Sequence, residues 1–171
     1  MRNAVVLHGM PSKKGYYDPR RQSQSNEHWI PWLQHELILN DILTQTPEWP
    51  KPYQPDYDPW LKVFNQFTVN AKTILVGHSC GAGFLVRWLS ENDTRIDKLI
   101  LVAPWIDPHQ TLKTGFFKFQ IDKNLNQKAN QIVVLSSVPR VNHIKFNNHG
   151  HFTYSDMKTK KFPELLEIAL K

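Results

Sequence analysis

Cysteine is almost absent from the 171-residue sequence: Cys80 stands alone. An intramolecular disulfide is thereby excluded, and a free thiol fits a reducing compartment, so a cytoplasmic location is expected. Long apolar runs are missing too, none approaching the roughly 20 residues that span a bilayer. The N-terminus lacks the basic and apolar regions of a secretory leader, so neither export nor a membrane partner is expected. Internal repeats and low-complexity linkers are also lacking. With 40% hydrophobic and 21% charged residues, the composition is that of a soluble globular chain, and its length suits a single domain over 1–171 with one site.

The formal net charge is +6, which raises the question of an anionic partner. The cations are scattered, however, as pairs such as Lys13-Lys14 and Arg20-Arg21, with the densest stretch at 158–161 beside a predicted terminal helix. That distribution reads as solvated surface, and no recognised binding module accompanies it, so no nucleic-acid partner is expected. Binding driven by the charge would instead show a steep salt dependence.

Four apolar, β-branched runs stand out: Ala4 to Leu7, Thr73 to Val76, Leu99 to Ala103 and Ile132 to Leu135. They are continuous instead of alternating, as strands covered on both faces of a parallel sheet are. Between them lie helical spacings, at Trp60, Val63, Phe64 and Phe67 and again at Phe84, Leu85, Trp88 and Leu89. A further helix is predicted after Ser25 or Asn26, carrying Trp29, Trp32, Leu33 and Leu37, and a last one from Pro163. The stretch from Thr46 to Pro59 holds five of the twelve prolines and reads as a rigid loop. Alternating strand and helix predict an α/β fold, a three-layer sandwich around a mostly parallel sheet.

The sequence Gly77-His78-Ser79-Cys80-Gly81 follows one of these strands directly and opens a helical pattern. A G-x-S-x-G motif in that setting is a nucleophile elbow: small residues let strand and helix approach, and the serine sits exposed at a helix N-terminus. Ser79 is the candidate nucleophile, and the N–H of Cys80 a candidate oxyanion donor. Cys80 itself, one place beyond the apex, reads as a small packed residue. After the first strand comes His8-Gly9-Met10-Pro11, where the Met10 N–H is the second candidate donor. Late in the chain, between a short strand-like run at 142–146 and the last helix, stands Asn147-Asn148-His149-Gly150-His151-Phe152. A late loop histidine is what the order serine, acid, histidine requires. Two histidines compete for the role, and no third ligand at matching spacing makes the pair a metal site; neither metal nor cofactor is expected.

The elbow with Ala82, the run Leu101-Val102-Ala103-Pro104, the late Gly150-His151-Phe152 and the Trp-rich segment from His28 to Leu33 together resemble the small serine hydrolases of the retinoblastoma-binding-protein-9 type and their bacterial relatives. The resemblance runs from Val5 to Leu170. It implies an α/β-hydrolase core without a large lid, and it assigns the general base to His151 over His149. It permits esterase or peptidase-like activity; the leading expectation is hydrolysis of a carboxylic ester, with a small-molecule acyl substrate and an acyl-enzyme on Ser79.

One feature departs from that pattern. Members of the group carry an aspartate in the loop after the strand matching Ile132 to Leu135, whereas this chain reads Ser136-Ser137-Val138-Pro139-Arg140. The acid loop and the helix after it look shortened away. Three readings stay open: Asp107, beyond the preceding strand, supplies the acid; a serine or backbone carbonyl near Ser136 or Ser137 orients the ring; or the scaffold is catalytically impaired and serves as an interaction protein. Asp156 is the weaker candidate, since it follows the histidine and caps or precedes the last helix.

Overall fold

The computed structural model describes residues 1–137, 144–147 and 149–171. Its strands are β1 (Asn3–Leu7), β2 (Leu43–Gln45), β3 (Thr73–His78), β4 (Ile96–Val102), β5 (Ala129–Ser136) and β6 (Ile144–Lys145). They form one sheet in the order β2-β1-β3-β4-β5-β6, and every pairing between them is parallel. The four apolar runs are its central strands.

Alternate side chains of each strand enter different cores, because successive Cβ atoms point to opposite faces. Val5, Leu7, Leu75, Leu99 and Leu101 pack on one side with α3 (Tyr57–Phe64) and α4 (Cys80–Glu91). Ala4, Val6, Ile74, Val76, Ile100 and Val102 pack on the other with α2 (Ile30–Leu39) and α6 (Pro163–Leu170). The result is the three-layer arrangement expected. Lys98, on β4, reaches through the second layer and donates its ammonium to the carbonyls of Ile168 and Ala169, at 3.0 and 3.1 Å. A cation there meets the negative end of α6.

Helix α2 begins later than its apolar spacing suggests. Residues Gln24–Asn26 form one tight turn, His28 takes a positive φ of 59°, and the helix proper starts at Ile30 with Pro31 in its first turn. Two short helices, α1 (Lys13–Tyr16) and α5 (Tyr154–Met157), complete the set among the described residues.

Strand order places the site. From β1 the chain goes outward to β2 and then crosses back over to β3, so β1 and β3 are neighbours with their crossovers on opposite faces. The crevice at the carboxyl ends of such strands is where open α/β sheets bind ligands. Those ends here are His8-Gly9 and Ser79.

Parallel neighbours ordinarily need a crossover of about a dozen residues or more. Only residues 137–143 separate β5 from β6, fewer than that. The first residues of the strand-like run at 142–146 and Val138 to Arg140 of the preceding loop lie outside the described residues.

Candidate active site

Ser79 sits between the last residue of β3 and the first of α4 with φ 54° and ψ −117°. A serine at positive φ is strained, and the surroundings hold it there. Its N–H donates to the Val102 carbonyl at 2.9 Å, and its own carbonyl accepts from Trp105 and Gly83 at 3.1 and 3.2 Å. The close approach is possible because Gly77 has no side chain: a Cβ there would stand 2.5 Å from the Ala82 Cα.

Two amides flank the serine. A Cβ on Gly9 would lie 2.9 Å from the Ser79 Cβ, so the chain entering Met10 runs against the nucleophile. Among the described residues no acceptor takes the Met10 N–H. The Cys80 N–H is the first of α4 and has no intrahelical acceptor. The Cys80 side chain is buried, and burial, with the Asp107 charge adding to it, pushes its thiol well above the ordinary range. It is a packed thiol, not a thiolate.

The ring that meets Ser79 belongs to His151, whose Nε2 stands 2.7 Å from Ser79 Oγ. His149 turns away: its Nδ1–H donates to the Asn147 carbonyl at 2.7 Å, and its ring packs against Phe146, Phe152 and Phe162. Partial enclosure lowers the His151 pKa below its ordinary value, while the Asp156 charge acts in the opposite sense.

The backbone on both sides of His151 is tethered. The Gly150 carbonyl accepts from Ser137 Oγ, the His151 N–H donates to Asp156 Oδ2 at 2.9 Å, and the His151 carbonyl accepts from His78 Nε2 at 2.7 Å. One residue further, the Phe152 carbonyl accepts from the buried Trp29 indole at 3.1 Å. The first of the Trp-rich helix residues therefore fixes the base loop instead of lining a pocket. His78 is buried, and burial holds its pKa down to about 3, so it stays neutral and keeps the donating tautomer.

Glu48 was not legible as a site residue. It comes from the proline-rich loop and accepts from the Gln24 and Ser25 amides at 3.1 and 2.9 Å, with an oxygen 3.3 Å from His8 Nε2. Burial pushes its carboxyl up, but the His8 and Ser25 contacts outweigh that and hold it at about 2. Its bonds to the two amides tie the proline-rich loop to the wall ahead of α2.

Asp107 departs from the expectation. Its carboxylate accepts from the Thr111 N–H, the Thr111 hydroxyl and the Leu112 N–H, at 2.7 to 2.8 Å. It closes its own loop, and among the described residues no carboxylate accepts from the His151 ring. Burial would raise its carboxyl, but the Leu112 and Thr111 donors outweigh that and keep it low.

A cleft of about 190 Å³ opens over Ser79 and His151. Arg21, Gln24, Glu27 and His28 give it polar lining, and Met10 and Pro11 line it as well. Among the described residues no group of three or more His, Cys, Asp or Glu side chains could hold a metal ion, and no helix is long and apolar enough to cross a membrane.

Comparison with known proteins adds to this geometry. Over 106 residues, 60% of this chain, the sequence is 29% identical to YdeN of Bacillus subtilis (strain 168), a protein named as a hydrolase; the match spans 56% of YdeN's length. The crystal structure of the ydeN gene product superposes with a TM-score of 0.75 over 98% of this chain and 96% of that one, at 21% identity, which shows a shared fold. An extracellular α/β-hydrolase from a Paenibacillus species aligns over 61% of this chain and 41% of its own, at 18% identity and a TM-score of 0.43, too distant to carry an argument. The family model described as serine hydrolase matches residues 16–148, taking in the Ser79 elbow and stopping short of His151. The chain shares the fold of the ydeN gene product and belongs to the serine hydrolase family.

Proposed function

We propose that the protein hydrolyses carboxylic esters of small acyl groups through an acyl-enzyme on Ser79, with His151 as general base. The observation that carries this reading is the 2.7 Å approach of His151 Nε2 to the Oγ of a serine held at positive φ. In the Nδ1–H tautomer the ring accepts the Ser79 proton as Oγ bonds to the ester carbonyl carbon. The Met10 and Cys80 amides donate to the oxygen that becomes negative. Collapse of the tetrahedral adduct breaks the bond to the alcohol, which leaves with the proton from His151. Water then repeats the sequence: His151 takes its proton, the hydroxide adds to the acyl carbon, and the acid leaves as Ser79 recovers its hydrogen. No cofactor enters any step. The lone, buried Cys80 supports a cytoplasmic setting.

The test is mass-spectrometric labelling with a fluorophosphonate at neutral pH, comparing the native protein with Ser79→Ala and His151→Ala. One adduct on Ser79, absent in the first variant and formed at least about a hundredfold more slowly in the second, is expected. No adduct on folded native protein would overturn the reading and favour a scaffold that binds without catalysis.

A further inference from the structure

The loop after β5 brings no carboxylate to the His151 ring, yet a carboxylate does reach the base loop from its other side. Asp156, in the first turn of α5, accepts three hydrogen bonds on one oxygen: the His151 N–H at 2.9 Å, the Thr153 hydroxyl at 2.7 Å and the Thr153 N–H at 3.3 Å. Its own N–H returns to Thr153 Oγ1 at 3.3 Å, which completes a capping box. A capping box alone accounts for the Thr153 contacts. It does not account for the His151 N–H, which lies outside the helix, nor for Gly150.

Gly150 has φ 49°, and a Cβ there would stand 2.5 Å from the Asp156 carboxyl carbon and 2.7 Å from Oδ1. The absence of a side chain at 150 is what admits the carboxylate beneath the base loop. The peptide joining Gly150 to His151 is held at both ends, by Ser137 on its oxygen and Asp156 on its nitrogen. That fixes the backbone from which the imidazole projects towards Ser79.

We propose that Asp156 is the positioning residue of this site, holding His151 through its backbone N–H and supplying the negative charge beside the imidazole that a loop acid after β5 would otherwise supply. This rests on the Ser79–His151 reading above. The other titratable groups facing His151 are His78 from β3, with ring centroids 5.3 Å apart, and His28 ahead of α2. Burial lowers the pKa of both and so disfavours a charge on either ring. Arg21 and Glu27 share the cleft as charges of opposite sign. Among the described residues Asp156 is the charged group that acts on the His151 titration, and it favours the imidazolium.

The experiment compares native protein, Asp156→Asn and Asp156→Ala. Asparagine keeps an oxygen for the His151 and Thr153 donors and removes only the charge. The rate of Ser79 labelling is measured from pH 4 to 9, and the His151 ring is titrated in parallel by NMR. Removing the negative charge disfavours the imidazolium, so in Asp156→Asn both midpoints fall, by about half a unit to one unit, and the plateau rate drops about tenfold or more. Asp156→Ala shows the same fall in midpoint with a deeper loss of plateau rate. Unmoved midpoints in both variants would overturn the proposal and leave Asp156 a helix cap. Should the native protein carry no Ser79 adduct, the esterase reading fails by itself, and the NMR midpoint still decides the role of Asp156.

Discussion

His78 donates its Nε2–H to the carbonyl of His151 at 2.7 Å, so the residue just before the nucleophile in the elbow clamps the loop that carries the base. The bond requires a neutral, buried His78, and that has a consequence for acid stability. In the unfolded chain the ring takes up a proton near 6.5, whereas in the folded protein it resists protonation down to about 3. A folded-state pKa below the unfolded value gives stability that is complete above 6.5 and is lost as the pH falls towards 3. His28 and His151, also lowered, act in the same sense below 6.5. Urea unfolding at pH 7, 6 and 5 should therefore show a steady loss of stability. His78→Gln keeps an N–H donor without the titration and should flatten that slope; an unchanged slope would refute the assignment. His78→Phe removes the donor and should cost about 1–3 kcal/mol at pH 7.

Activity should follow a different limb. His151 works as a base in its neutral form, and enclosure lowers its pKa more than Asp156 raises it. The rate of ester turnover, or of fluorophosphonate labelling, should rise with a midpoint below 6.5 and be flat by neutral pH. A midpoint at or above 6.5 would mean that an acceptor absent from the described residues stabilises the imidazolium.

Much of the fold was legible because the four central strands are buried on both faces and read as unbroken apolar runs. The edge strands lack that signature. In β2 the exposed Leu43 and half-buried Gln45 flank a single buried Thr44, and both residues of β6 are exposed. Helix α1 buries nothing and so carries no periodicity. At the site, the elbow was legible because its constraint is local: glycines two before and two after a serine. The tethers of the base loop were not, since they join residues 73 positions apart (His78 to His151) and 123 apart (Trp29 to Phe152). For Asp156, sequence position suggested a residue that caps or precedes the last helix; it lies ahead of that helix, in the capping box that Thr153 opens on α5, and its bond to the His151 amide depends on the turn at Gly150, which no spacing rule contains.

Asp107 offers a direct contrast with an acid that orients the base. Replacing an orienting aspartate has cost about 10⁴ in turnover in one protease system. With its carboxylate committed to Thr111 and Leu112, Asp107→Ala should instead destabilise the loop between β4 and β5, by about 1.5–3 kcal/mol for the lost hydrogen bonds to a charged group. Ser79 labelling should fall far less than a hundredfold where the variant is still folded. A loss near 10⁴ in a protein with native unfolding behaviour would restore Asp107 to the catalytic constellation.

Acyl-chain preference follows from the cleft. Ligand sites for drug-sized molecules run to about 300–1,000 Å³, while the space over Ser79 and His151 is about 190 Å³ with Arg21, Gln24 and Glu27 on its wall. A long alkyl chain would have to lie against these polar groups and strip their water without replacing it. Each methylene that fits an apolar pocket gains binding energy, but here the gain should stop after the first few carbons. In a series of p-nitrophenyl esters, acetate and propionate should exceed octanoate in kcat/KM by about tenfold or more. Replacing Glu27 or Arg21 by leucine should narrow that gap by making the wall less polar. If octanoate were the best substrate of the native protein, the acyl group would have to occupy a different surface, such as the larger hollow of about 650 Å³ lined by Ile106, Leu112 and Phe117, and the polar wall would then serve the alcohol instead.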